Sequence, residues 1–392
     1  MFPLPPLDDE QSTLIDRMAA LSRTRFAPRA AKYDAESSFP FENYTDLHRE
    51  GLLPLTVPKA FGGIGADPVT YAHCLRELAR GCSATALTFN MHSTVTTFIA
   101  ALGTEEQKRR YFGDIVRRGA LIASITSEPE QSFRDKFVLN TVFRKLPNGG
   151  YHVAGVKHFC SIGDAADYYF ITGIADGHTT AKDGVVSALI PKGDAGVKLE
   201  GVWNAIGMRG TISHTIRYDC AVDPENVVGE PGQYLTIDLQ GFALGYAAVY
   251  LGIGEAAFDF MVQMAKTKMQ RPGTTPIAEH PLVQRTVAEV GTAIRAARLL
   301  LHEAATIKAE GDREATMLVV NQAKTYCSDV GLTATTAALR MAGGTGILKS
   351  LPLERWHRDA LAGPVMPPAN DRCLETAGKL LCGLRAATLE FQ

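Results

Sequence analysis

The 392-residue sequence predicts an α+β protein in which a sheet region is held between two helical regions. Apolar residues recur at helical spacing from Asp9 to about Arg118, and short β-branched or aromatic runs bounded by Gly, Pro and Asp fill the stretch from about Ala120 to Gly232. From about Tyr234 onward the helical period returns. The expected divisions are 1–118, 119–232 and 233–392. Helix, then sheet, then helix, without alternation of the two, argues against a doubly wound nucleotide fold.

Each element has its own local signal. In the first region Leu75, Leu78 and Ala79 share one face, while Arg76, Glu77 and Arg80 point away. Gly62-Gly63-Ile64-Gly65 interrupts the chain before that helix, and Asp67-Pro68 supplies a start for it. Thr104, with Gln107 three residues on, predicts a capping box. In the middle region Asn148-Gly149-Gly150 marks a tight turn between strands expected over 138–146 and 151–156. The runs 168–172, 185–190 and 212–218 predict further strands of a barrel or sandwich. In the last region 239–264 predicts one long apolar helix, with Gly241, Gly245, Ala248, Gly252 and Ala256 forming a stripe that another helix can approach closely. Such stripes also occur in membrane spans. Glu255 and Asp259 inside the segment favour a buried bundle helix, because charge is costly in lipid.

Composition narrows the function. Forty basic residues against 42 acidic ones leave no global field to recruit nucleic acid or an anionic membrane. Seven cysteines, an odd number with no CxxC pair, read as reduced thiols rather than a disulfide frame or zinc site. No HExxH occurs among the ten histidines, and no metal is expected. The opening Met1-Phe2-Pro3-Leu4-Pro5-Pro6 lacks a basic and then apolar signal pattern, so the expected location is cytoplasmic. Two motif matches fail on context. Gly252 to Ala257 fits GxGxxA but lies inside a helix, and Gly343 to Ser350 mimics a P-loop with Leu348 where a glycine is required.

Three segments carry chemistry: Ile125-Thr126-Ser127-Glu128-Pro129, Lys157-His158-Phe159-Cys160-Ser161, and Gly343-Gly344-Thr345-Gly346 leading to Arg358-Asp359-Ala360. Each sets small polar or glycine residues beside backbone that a flat, hydrogen-bonding ring or its phosphates can approach. Taken singly they have plain readings: a loop, a strand with Phe159 in the core, and a glycine helix terminus. Together, in this order, they resemble the acyl-CoA dehydrogenase superfamily of flavoproteins. The resemblance runs from about Asp9 to Leu384 and implies an N-terminal α-helical domain, a middle β-barrel domain and a C-terminal four-helix bundle. It also implies FAD in a cleft between the β domain and the bundle, and a homodimer or homotetramer.

The resemblance assigns roles residue by residue. Thr126 and Ser127 match the loop that bonds the pyrimidine edge of the flavin, with Ser132 taking the following serine although this loop is one residue shorter. Phe159-Cys160-Ser161 is similar to the family's Trp-x-Thr, with Phe159 flanking the ring and Ser161 supplying the hydroxyl that reaches flavin N5 or O4. Gly343 and Gly344 match the turn that meets the adenosine half. Lys268 or Arg271 stands near the family's pyrophosphate arginine, and Arg271 is preferred because a guanidinium binds bidentately; a solvated basic helix end is the rival reading. Leu353-Glu354-Arg355 and Arg358-Asp359-Ala360 repeat the family's wording and are expected to hold helices together.

One departure bears on mechanism. The family's usual catalytic glutamate falls on Pro367, and the alternative position used by some members falls near Phe242. Asp371 is the nearest substitute base. The reaction expected from the resemblance is oxidation of an acyl-CoA-like substrate with hydride transfer to flavin N5 and electrons passing to an electron-transfer flavoprotein. The alternative is a two-component flavin monooxygenase of the same fold, which receives reduced flavin from a reductase, works through a C4a-hydroperoxide and needs no α-proton base. His92, in Asn90-Met91-His92, and a wall at Trp203 suit that alternative; His92 also reads as an ordinary helix-face histidine. A catalytically silent flavoprotein is the third reading.

Overall fold

A computed structural model describes residues 6–129, 139–178, 181–270 and 272–384. The first region is helical: α1 (Asp9–Leu21), α2 (Ala27–Glu36), α3 (Phe41–Arg49), α4 (Pro68–Gly81), α5 (Ser83–Leu102) and α6 (Glu105–Arg118). Local capping sets these boundaries. The Asp67 carboxylate accepts from the Val69 and Thr70 N–H groups with Pro68 in the first turn, as its sequence position predicts. Thr104 and Gln107 close the expected capping box, and Gly119, at φ +71°, ends α6 in the left-handed region. Helix α5 is buried on nearly every face and lies between the sheet and the later bundle.

The strands are β1 (Ile122–Ile125), β2 (Val142–Lys145), β3 (Tyr151–Cys160), β4 (Tyr168–Ala175), β5 (Val185–Pro191), β6 (Val197–Gly201), β7 (His214–Val222) and β8 (Val227–Val228), with the short helix α7 (Ala181–Gly184) before β5. The sheet order is β6-β7-β3-β2-β4-β5-β8, with β1 parallel to β4. Strands β4 and β7 are not neighbours in this order, yet the Tyr169 and Tyr218 rings stand 5.9 Å apart. The sheet therefore curls on itself around an apolar interior. Three strands escape the sequence pattern. β1 is only four residues long, β8 only two, and β6 is five residues that are mostly exposed. The strand expected from Ile212 starts at His214 because Ile212 sits at φ +41°.

The last region is built on α8 (Gly241–Thr267), α9 (Pro281–Glu310), α10 (Arg313–Ala342), α11 (Leu353–Ala360), α12 (Ala362–Val365) and α13 (Asn370–Leu381). Helix α8 is long and apolar enough to span a membrane, but 89% of its most apolar window is packed inside the protein. Its small residues explain the packing. A Cβ on Gly252 would lie 2.3 Å from the Arg76 carbonyl oxygen, and one on Gly254 would lie 2.9 Å from the Gly331 Cα. Glu255, in the same stretch, is buried but not unpaired: Arg76 (2.6 Å), Arg80 (3.0 Å) and Arg298 (2.6 Å) converge on its carboxylate. Burial pushes its pKa up, and the three guanidinium charges overcome that push and bring it down to about 2.

One carboxylate joins all three regions. Asp359 on α11 accepts from Ser83 Oγ at the start of α5 (2.5 Å) and from the Met208 N–H of the sheet region (2.6 Å). Beside it, Arg358 makes paired bonds to Asp34 at the end of α2 (2.9 and 2.6 Å).

Candidate functional site

The loop after β1 is held by an ion pair. Lys157 Nζ, on β3, stands 2.7 Å from Glu128 Oε1 and 3.1 Å from the Thr126 carbonyl oxygen. The two side chains are 0% and 1% exposed. Glu128 also accepts from the Asn140 (2.5 Å) and Thr141 (3.0 Å) N–H groups. Burial opposes its charge, but Lys157 and these donors hold its carboxyl below the usual range. Next along β3, the His158 N–H donates to the Ser127 carbonyl at 2.9 Å. Thr126 and Ser127 are thus fixed against β3 while remaining half-buried.

Beyond Lys157 the β3–β7 ladder slips, and the backbone becomes unusual. Phe159 (φ +54°), Ile162 (+76°), Met208 (+52°) and Ile212 (+41°) are all left-handed, which costs a non-glycine residue about 1–3 kcal/mol each. These residues surround one spot. Phe159, 59% exposed, presents its ring edge-on to Trp203 with centroids 6.0 Å apart. Trp203 is fixed by its backbone N–H to His214 Nδ1 (2.9 Å) and its indole N–H to the Met208 carbonyl (3.1 Å). Beneath lies a chain of hydroxyls: Ser161 Oγ to Ser213 Oγ at 2.9 Å, Ser213 Oγ to Thr211 Oγ1 at 2.7 Å, and Thr211 Oγ1 to the Met208 carbonyl at 2.8 Å. All three side chains are at least nine-tenths buried.

His92, on α5, is fully buried; its Nδ1 accepts the Ile122 N–H at the start of β1 (3.1 Å), which puts the ring proton of the neutral form on Nε2. That Nε2 has no protein partner, and burial brings the imidazole down to about 4. Asn90, in contrast, is committed to packing through Tyr71, Thr94 and the Phe242 carbonyl. Gly343 and Gly344 end α10 on an exposed turn that packs on α11, and Gly343 has φ 68°, ψ −149°, a glycine conformation. Lys268 Nζ donates to the Ala342 carbonyl at 3.2 Å and so is occupied at that same turn. Ser132 and Arg271 lie outside the described residues.

Thr126 and Ser127 are therefore brought together with Phe159 and Ser161, whereas Gly343 and Gly344 stand on the bundle side and reach this group through α11 and Asp359. Asp371 is exposed in the first turn of α13. Glu375, one turn on, is paired with Arg372 and Lys379. Of the two positions to which the resemblance assigns the family's base, Pro367 is exposed beside Met366, whose Sδ meets the Tyr250 hydroxyl at 3.5 Å, and at the other the Phe242 carbonyl accepts from Asn90 at 3.2 Å. Glu128 and Lys157 lie within the sequence motifs, but the motifs gave no role to their pairing or to Ser213 and Thr211. A lysine inside an otherwise apolar strand was the available signal for the pair; nothing local marked Ser213.

Two family models match, the acyl-CoA dehydrogenase N-terminal domain over residues 8–118 and the acyl-CoA dehydrogenase C-terminal domain over 244–365. An acyl-CoA dehydrogenase of Bacillus subtilis (strain 168) is 30% identical over 370 residues, covering 92% of this chain and 95% of the relative. The chain belongs to the acyl-CoA dehydrogenase family. Its fold agrees: the structure of butyryl-CoA dehydrogenase from Megasphaera elsdenii superimposes with a TM-score of 0.90 at 26% identity, covering 96% of this chain and 99% of that one. A dibenzothiophene monooxygenase of Rhodococcus erythropolis is also related, at 28% identity over 364 residues, 86% of each chain. The family is one of flavoprotein oxidoreductases, and this chain is a distant member of it. Its residues fit a flavin: a hydroxyl chain and main-chain amides meet at an exposed aromatic wall held in strained backbone, with the unpartnered Nε2 of His92 in the helix beneath β1.

Proposed function

We propose that this family member is a flavin-dependent oxidoreductase that works from reduced flavin toward oxygen, as a two-component monooxygenase does, and not by removing an α-proton from a thioester. One observation carries this reading. Asp46, Glu128, Glu255 and Asp359, the buried carboxylates among the described residues, are each engaged by guanidinium, ammonium, amide or hydroxyl donors. By the resemblance, the family's base position falls on Pro367. A proton-abstracting carboxylate must reach its proton within about 3 Å, and among the described residues no buried carboxylate is free to do so.

The bound cofactor, FAD or FMN, supplies two-electron and oxygen chemistry. The chain's residues do the rest. Thr126 and Ser127 offer main-chain and hydroxyl groups to the ring edge, on a loop immobilised by Glu128 and Lys157. Phe159 and Trp203 exclude water from one face. Ser161 offers a hydroxyl oxygen, and His92 offers a neutral Nε2–H donor that does not titrate near neutral pH. The Gly343-Gly344 turn gives close approach for the adenosine half of FAD. The natural partner on this reading is a flavin reductase in the cytoplasm, and the substrate is a planar aromatic or an acyl thioester.

The acyl-CoA relatives support a second reading, dehydrogenation of an acyl-CoA with Asp371 as base and an electron-transfer flavoprotein as acceptor. An anaerobic titration of the flavin-loaded protein separates the two. Persistent yellow colour with a panel of acyl-CoA thioesters, together with oxygen-dependent product formation from supplied reduced flavin, is the expected result. Bleaching by any acyl-CoA transfers the assignment to dehydrogenation.

A further inference from the structure

The hydroxyl chain beneath Phe159 has a direction. A carbonyl oxygen only accepts, so the 2.8 Å contact to Met208 uses the single Thr211 hydroxyl proton. Thr211 Oγ1 must then accept from Ser213 across 2.7 Å, and Ser213, its own proton spent, must accept from Ser161 across 2.9 Å. Ser161 is left with lone pairs to offer and no proton to give. The carbonyl at the far end is itself fixed: Met208 is left-handed, its N–H is held by Asp359, and its oxygen also takes the Trp203 indole N–H. Reversing the chain is possible only by giving up the Thr211–Met208 bond.

We infer that Ser213 and Thr211 are positioning residues that make Ser161 a hydrogen-bond acceptor, and that the site thereby selects a reduced flavin over an oxidised one. This rests on the flavin reading above and takes Ser161, at the family's hydroxyl position, as the group that meets flavin N5. Oxidised flavin presents N5 as a lone pair, which asks for a donor. Uptake of two electrons and a proton turns N5 into an N–H, which asks for an acceptor. A Ser161 held in the accepting state matches the second form and meets the first lone pair to lone pair. The same residue with a free proton would show no such preference, because a hydroxyl alone serves either role.

The test is binding, not turnover. The full chain is titrated with FAD and with FMN, oxidised in air and dithionite-reduced under argon, and the midpoint potential of the loaded protein is read by dye equilibration. The parent should bind reduced flavin at least tenfold tighter than oxidised flavin, raising the potential about 30 mV or more above that of free flavin, the two-electron equivalent of a factor of ten. Ser213→Ala and Thr211→Val each release the Ser161 proton and should lower the reduced-over-oxidised preference about tenfold. Equal potentials in parent and both variants, or a parent that prefers oxidised flavin, overturn the inference while leaving the flavin reading intact. A parent that binds neither flavin in either state removes both. The parent measurement stands even if one substitution disturbs folding, since the other variant cuts the same chain at a different link.

Discussion

Lys157 Nζ and Glu128 Oε1 lie 2.7 Å apart with both side chains closed to solvent, and the same ammonium reaches the Thr126 carbonyl. The pair ties the two sequence segments that wall the candidate flavin site into one unit. Its charges sit where a loop would otherwise move.

Removing one partner leaves the other buried and uncompensated, which costs about 3–5 kcal/mol. Lys157→Met should therefore lose about that much stability by urea denaturation and weaken flavin binding as well. Lys157→Met combined with Glu128→Gln should regain part of the stability, since no charge is left buried and the amide oxygen still accepts from one of the Asn140 and Thr141 N–H groups. It should not regain flavin affinity, because the Thr126 carbonyl stays free.

Glu255 predicts an acid-sensitive fold. Its carboxyl, near 2 when folded, stands below its ordinary 4.5, so its contribution is full above about pH 4.5 and is lost as pH falls toward 2. Denaturation midpoints measured at pH 5 and pH 3 should fall more steeply in the parent than in Glu255→Gln. That variant should already be about 3–5 kcal/mol less stable at pH 7, because three guanidiniums lose their shared anion.

His92 gives a different window. Burial keeps the imidazole neutral down to about 4, while the unfolded chain protonates it near its ordinary 6.5. The folded state binds fewer protons between those values, so stability is full above pH 6.5 and declines as pH falls toward 4, by about 1.4 kcal/mol per pH unit at most. His92→Gln, whose amide oxygen can still accept the Ile122 N–H, should flatten that decline in a pH series of melting curves.

Asp371→Asn should leave turnover with supplied reduced flavin within twofold of the parent, and should cost about 0.3–1 kcal/mol at most through the exposed start of α13. A loss of a hundredfold or more would assign Asp371 the role of base. Conversely, Pro367→Glu restores a carboxylate at the family position and should introduce a slow, acyl-CoA-dependent bleaching that the parent lacks.

Gly252→Ala should destabilise by about 1–3 kcal/mol, as overpacking does, since its new methyl would lie 2.3 Å from the Arg76 carbonyl. Calorimetry of the flavin-free protein would read this directly.

What the sequence disclosed follows the range of the forces involved. Asp67, Thr104 and Gln107 act on backbone within three residues, so their helix starts were readable without a structure. Helix α8 was readable because Glu255 and Asp259 interrupt an apolar run, and the three arginines that accept Glu255 explain why that interruption is tolerated. Strand β6 was missed because its alternation of Val197 and Leu199 with Lys198 and Glu200 is only four residues long, and Leu199 itself stays exposed, so the strand has no buried face to mark it. Within the candidate site, Thr126, Ser127, Phe159 and Ser161 came from motifs whose pairing through His158 and Lys157 the fold then supplied. Ser213 could not be found that way: its relation to Ser161 spans 52 residues and depends on two turns in which Phe159, Ile162, Met208 and Ile212, none of them glycine, are left-handed.

The bonds of Asp359 to Ser83 and Met208 carry a further consequence. A single anion fastened to the entry helices, to the curled sheet and to its own bundle makes the seam between them a keystone joint, in which no block settles before the others arrive. Nascent chains should consequently acquire affinity for a coenzyme only after the final helices emerge, so that pigment uptake during synthesis would time the completion of assembly.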